Sequence, residues 1–259
     1  MKYSVCIDMM FPETDFYDRF RLAKDSNVKR IEFWRWSNKD ISKIESLIKT
    51  YKQKISVFNI DSNDEKLSVA LSRGILNMGR KTDFISALIE SIPVYRRLQA
   101  SGMIVLIGEN LDIPYTEQVD NVLSCLKAAV PIIERENITL LLEPLNNIDR
   151  ENYFLPRAKE VIEIIREINS PNVKILLDLY HEQIMAGNLV FTIKENIDVI
   201  GHIHIADVPG RHEPGTGEIN YCNILRTLKE LNYKNCVGFE FRSTKNDKET
   251  MKILRRIMV

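Results

Sequence analysis

Val237-Gly238-Phe239-Glu240-Phe241 alternates bulky apolar side chains with a glycine and a carboxylate. Successive side chains of a strand point to opposite faces. The apolar face suits an outer jacket of helices, which turns Glu240 toward the inside of whatever the strand helps to enclose. A carboxylate buried between two phenylalanines needs a partner. The same grammar recurs upstream. Leu140 and Leu142 face outward, so Glu143 projects inward. Asp178 closes Lys174-Ile175-Leu176-Leu177-Asp178 and shares the parity of Leu176. Ile203 and Ile205 leave His202 and His204 pointing in.

Glu143, Asp178, His204 and Glu240 are 35, 26 and 36 residues apart. A strand–helix–strand unit takes ~30 residues or more, so the four sit at equivalent ends of four consecutive parallel strands. Further strands are expected at Tyr3–Asp8, Arg30–Trp34, Ile55–Ile60 and Ile104–Ile107, with amphipathic helices between, such as Asp40–Tyr51, Phe84–Ala100 and Thr116–Glu136. Eight strands alternating with about eight helices predict an α/β protein, a single (β/α)8 TIM barrel domain over 1–259 with its active site at the C-terminal ends of the strands. A doubly wound open sheet is the competing arrangement, but no glycine-rich nucleotide turn follows the first strand. Two connections are too long for simple turns, Asp61–Lys81 and Asp207–Asn220, and both leave strands at the rim that carries the four residues.

Lys+Arg and Asp+Glu are equal at 36 each, so there is no global positive field for a nucleic acid. No apolar stretch approaches the ~20 residues needed to cross a bilayer. Cys6, Cys125, Cys222 and Cys236 lack CxxC spacing, so reduced thiols in a cytoplasmic protein are expected.

Two glutamates, an aspartate and a histidine suit one divalent cation, and the imidazole tilts a carboxylate-rich set that would take Mg²⁺ toward Mn²⁺. Such an ion can hold adjacent carbonyl and hydroxyl oxygens of a small sugar or hydroxy acid and stabilise the negative oxygen of an enediolate when the α-proton leaves. Glu143 and Glu240 flank the set and are assigned the paired acid and base roles. His181 is placed to touch a substrate hydroxyl or orient a ligand, and Arg211 to hold a substrate carboxylate. Trp34, with Glu32 and Trp36, and Arg73 in the first long connection are further candidates for the pocket. Taken singly, each ligand has a plainer reading: Asp178 as a helix cap, His204 as a core histidine, Glu143 as a solvated strand end. Their coincidence in register, parity and type favours the metal site. His202, one layer deeper, is expected to be a core residue.

Three segments carry a family resemblance: Leu140-Leu141-Leu142-Glu143-Pro144-Leu145-Asn146, Asp178-Leu179-Tyr180-His181, and 201–214 with its Arg211-His212-Glu213-Pro214. With Gly217-Glu218-Ile219-Asn220-Tyr221 and Gly238-Phe239-Glu240, they make the chain resemble the hydroxypyruvate isomerase family of the xylose-isomerase-like barrels. The resemblance implies a divalent metal on Glu143, Asp178, His204 and Glu240, acid/base work by Glu143 and Glu240, and dimers or tetramers. It also implies interconversion of hydroxypyruvate and tartronate semialdehyde, or of a close analogue such as a 2-oxo-tetronate. Members often carry glutamine at the position of His204, whereas ketose 3-epimerases carry histidine, so an epimerase of uncharged ketoses is the alternative. Apurinic endonucleases share the barrel but use a histidine-rich metal cluster, and this chain has four histidines. A barrel that binds a sugar acid without catalysis would leave the carboxylate pair without a purpose.

Overall fold

Each apolar run forms a short parallel strand, and chain order is also the order round the sheet: β1 (Lys2–Cys6), β2 (Arg30–Phe33), β3 (Lys54–Asn59), β4 (Gly102–Leu106), β5 (Leu140–Glu143), β6 (Val173–Asp178), β7 (Ile200–Ile205) and β8 (Cys236–Phe239). β8 pairs with β1 and closes the barrel. The computed structural model describes residues 1–258; Val259, the last residue of the expected domain, lies outside them. Outside the sheet run α1 (Arg19–Asp25), α2 (Ile41–Tyr51), α3 (Glu65–Arg73), α4 (Lys81–Leu98), α5 (Tyr115–Glu136), α6 (Ala158–Ile168), α7 (Leu179–Met185), α8 (Leu189–Asn196), α9 (Tyr221–Glu230) and α10 (Asp247–Ile257).

Parity holds throughout the second half. Leu140, Leu142, Ile203, Ile205, Val237 and Phe239 are fully buried in the layer between sheet and helices. Burying each such side chain contributes roughly 1.5–3 kcal/mol. Inside the barrel a separate small cluster, Val57, Ile104, Leu141 and Leu176, fills the β3–β6 side. The opposite side is polar: Ser4, Glu32, His202 and His204 are all buried there. The interior is thus half hydrocarbon and half hydrogen-bonding groups.

The expected connection Asp61–Lys81 needs correcting. It contains α3 and a 3-10 turn at Ile75–Met78. Asp64 caps α3 by accepting from the Lys66 and Leu67 amides at 2.9 and 3.0 Å, and Leu71 buries against the core. The helix was hidden because its apolar stripe is only two leucines wide. The other long connection is irregular, as expected. Its hub is the buried Asp207, whose Oδ1 accepts from the Val208 and Ile219 amides, both at 3.0 Å, and whose Oδ2 accepts from Gly215 at 2.7 Å. Gly217 lets the loop close on itself, since a Cβ there would lie 2.0 Å from the Val208 carbonyl oxygen. Glu213 ties the loop to the end of the barrel by accepting from the Thr244 amide and hydroxyl at 2.9 and 2.7 Å.

Candidate active site

The four strand-end residues converge. Ligand-type atoms of Glu143, Asp178, His204 and Glu240 all lie within 4.8 Å of one another, and all four residues are buried. Their strands place them: Glu143 and Asp178 end β5 and β6, His204 pairs in register with Asp178, and Glu240 follows β8 directly. The Tyr153 hydroxyl fixes the β4–β5 corner, accepting from the Ile107 amide at 2.8 Å and donating to the Glu143 carbonyl at 2.9 Å. The helix-capping reading of Asp178 also holds. Its Oδ1 accepts from the Tyr180 amide at 2.9 Å at the start of α7, while Oδ2 faces the site. One carboxylate does both jobs.

His204 Nδ1 lies 3.0 Å from Glu240 and 3.3 Å from Glu143. Its Nε2 lies 2.8 Å from Glu32 Oε2. Glu32 also receives the Ser4 hydroxyl, and its Oε1 lies 2.8 Å from His202 Nε2. Glu32 is therefore a buried carboxylate bracketed by two histidines; although burial opposes its ionisation, their charges bring it down to about 2. Gly238 makes room for this arrangement, because a Cβ there would sit 2.6 Å from Glu32 Oε1 and 2.9 Å from His204 Cδ2. Sequence reading named Glu32 only as a pocket candidate. The usable signal was its parity, inward on β2 like Glu240 on β8. His202 is the buried residue expected, one layer below His204.

Arg211 reaches in from the Asp207–Asn220 loop. Its Nη2 donates to Asp178 Oδ2 at 2.8 Å and to Glu240 Oε2 at 2.6 Å, and its guanidinium lies over the Tyr180 ring. Trp34 Nε1 donates to Glu240 Oε1 at 2.7 Å. Burial works against ionisation of Glu240, but His204 and Arg211 outweigh it and hold the group well below the usual carboxylate range. In Glu143 burial prevails over the His204 contact and pushes the group up to about 7. The two neighbouring carboxylates thus have their ionisation driven apart.

His181 Nδ1 accepts the Asn146 amide at 3.1 Å, so the imidazole proton belongs on Nε2. That buried Nε2 has no hydrogen-bond partner among the described residues and sits 3.5 Å from Asp178 Oδ2. Burial lowers the ring to about 4, which keeps it neutral at pH 7. All of this opens on a cavity of about 520 Å³ lined by Trp34, Glu143, His181, Arg211 and Glu240 together with Arg35, Arg150 and Arg242. Arg73 is not on its wall; it pairs with Glu109 instead. Arg150 stands on the wall in its place.

The donor set fits a divalent cation. Three carboxylates need positive charge between them, and a carboxylate on the far nitrogen of a metal-binding imidazole is the usual orienting partner. A parallel barrel with such a group at its strand ends is the layout of a barrel enzyme. The family described as xylose isomerase-like TIM barrel matches residues 20–257. Hydroxypyruvate isomerase of Escherichia coli is 31% identical over 244 residues, 93% of each chain. A 2-oxo-tetronate isomerase of Cupriavidus necator is 30% identical over 93% of this chain and 92% of its own. The crystal structure of an AP endonuclease, family 2, from Brucella melitensis superposes with a TM-score of 0.87 at 27% identity, covering 96% of each chain. The chain belongs to the xylose isomerase-like TIM barrel family, within its hydroxypyruvate isomerase branch. Those two named relatives are isomerases, that is, intramolecular oxidoreductases, and this chain is an enzyme of that class.

Proposed function

We propose that the protein is a metal-dependent isomerase of small 2-oxo-3-hydroxy acids, with hydroxypyruvate and tartronate semialdehyde, or a 2-oxo-tetronate, as the substrate pair. The observation that carries this reading is the pair Glu143 and Glu240, both buried and both within 3.3 Å of His204 Nδ1. Glu143, Asp178, His204 and Glu240 would hold Mn²⁺ or Mg²⁺, which supplies positive charge beside adjacent carbonyl and hydroxyl oxygens.

One of the two glutamates takes the proton from the hydroxyl-bearing carbon. The other returns a proton to the neighbouring carbonyl carbon, while the hydroxyl proton passes to the former carbonyl oxygen, so atoms and electrons balance. Trp34 fixes the orientation of the Glu240 carboxylate through its Nε1 bond. The Nε2–H of His181 donates to a substrate oxygen. A carboxylate-bearing substrate is favoured by the four arginines on the cavity wall, Arg35, Arg150, Arg211 and Arg242. Four cysteines, none in a disulfide among the described residues, agree with work in the reducing cytoplasm, and equal numbers of acidic and basic residues favour a small molecule over a nucleic acid. No helix among the described residues is long and apolar enough to cross a membrane.

The test is proton–deuterium exchange in D₂O with Mn²⁺, screened over keto acids and ketoses of about three to six carbons. Exchange confined to the hydroxy keto acids supports the reading. Exchange on uncharged ketoses alone assigns the site to a 3-epimerase.

A further inference from the structure

The base of the barrel, opposite the active site, gathers positive charge. Lys2, Arg30 and Lys174 stand at the beginnings of β1, β2 and β6. Each lies two residues before an inward residue, Ser4, Glu32 and Leu176, and so shares its direction toward the barrel axis. All three line a single cavity of about 220 Å³ whose described wall contains no aspartate or glutamate. None of the three forms an ion pair with a carboxylate among the described residues. Lys174 is steadied at the rim by donating to the Asp198 carbonyl at 2.9 Å.

Deeper in the wall are two buried polar residues, Ser56 and His202. The buried Ser56 hydroxyl has only the weak thiol acceptor of Cys236 beside it among the described residues, so its remaining hydrogen-bonding capacity is open to water or a ligand. Three cations around one small space repel one another, and a bound anion relieves that repulsion together with the cost of partly burying Arg30 and Lys174; Lys2 is exposed. An adjoining cavity of about 400 Å³ shares Lys2 and Arg30 and adds Lys29, Lys52 and Lys54, again with no acidic residue on its described wall. In a chain with equal numbers of acids and bases, this segregation calls for a ligand.

The geometry points to a binding site for a small phosphate-class anion at the base of the barrel, held by Lys2, Arg30 and Lys174. The space is a few water volumes at ~30 Å³ each, too small for a drug-sized molecule and sufficient for a phosphate group. Cations from three strands match a doubly charged tetrahedral oxyanion, and the guanidinium fork of Arg30 offers paired donors to it. The anion is either free inorganic phosphate or the phosphate of a small phosphorylated metabolite whose remainder extends into the adjoining cavity.

Isothermal titration of the metal-loaded protein with inorganic phosphate, at ionic strength held constant with chloride, tests the site; a parallel arm uses glycerol phosphate. Saturable binding is expected, weakened at least tenfold in Arg30→Gln and in Lys174→Gln but not in the distant control Arg226→Gln. Both basal variants should keep the turnover of the parent, so the outcome is independent of the proposed reaction. Tighter binding of the ester would assign a phosphorylated metabolite; equal or weaker binding would assign inorganic phosphate. Lack of saturation, or equal affinity in the parent and both basal variants, would overturn the site.

Discussion

Glu32 and His204 meet at 2.8 Å inside the barrel, a carboxylate from the second strand against an imidazole from the seventh. Glu32 holds the Nε2 proton of His204, so in the proposed metal site the imidazole would offer Nδ1, the atom facing Glu143 and Glu240, once a cation displaces its proton. An orienting carboxylate of this kind is typically worth 10–100-fold in metal affinity. Glu32→Gln is therefore expected to weaken Mn²⁺ binding by about that factor, read from free Mn²⁺ by electron paramagnetic resonance. Glu32→Asp should recover part of it. A Gln variant with the parent's Mn²⁺ affinity and only a lower Tm would reduce Glu32 to a packing role.

Glu240→Gln keeps an oxygen toward the site but cannot accept a proton. Losing a general base costs roughly 10²–10⁴-fold in rate. Isomerisation and solvent exchange should both fall by that order while substrate still binds. Persistent exchange with slow isomerisation would mean that Glu143 abstracts the proton and Glu240 returns it.

Asn146 sets the tautomer of His181 by donating its amide to Nδ1. His181→Asn is expected to lower kcat by ten- to hundredfold, the order of a charge-assisted hydrogen bond of ~1.5–3 kcal/mol. KM should move less, because in the proposed reaction the Nε2–H would meet the oxygen whose charge changes. A KM effect with kcat intact would make His181 a binding contact only.

Arg211 bridges Asp178 and Glu240. Arg211→Ala should raise KM for acidic substrates by tenfold or more on the same scale, with a smaller change for neutral ketoses. Unchanged KM would transfer carboxylate recognition to Arg35, Arg150 or Arg242, which share the cavity.

Glu182 is buried under α6, where it accepts the Ala158 amide at 2.8 Å, and burial pushes it up to about 7 from an ordinary 4.5. The folded protein keeps this proton over a range in which the unfolded chain has lost it. Stability contributed by the protonated group is complete below pH 4.5, drains away as pH rises to about 7, and is gone above that. The loss is on the order of 3 kcal/mol. Glu182→Gln retains the acceptor and should flatten the fall in Tm between pH 5 and 8. A parallel fall in both proteins would place the titration elsewhere.

The barrel and its metal-type site were legible because they rest on local rules. Inward parity of Glu143, His204 and Glu240 follows from alternation within a few residues, and their common rim follows from the length of a strand–helix–strand unit. The short helix Glu65–Arg73 was missed for a physical reason: its boundary is set by the Asp64 cap, not by a broad apolar stripe. Arg73 was drawn to the pocket by its loop, and only the pairing with Glu109 shows it turned away.

By itself the sequence determined which side chains point inward and how far apart they start, since both are properties of one strand or one repeat. Only the tertiary structure decided which of them touch. The Glu32–His204 contact joins residues 172 apart, and it depends on strand register and on the missing Cβ of Gly238. The gathering of Lys2, Arg30 and Lys174 likewise needs the closed barrel, because each is an ordinary exposed cation until its strand is placed beside the others.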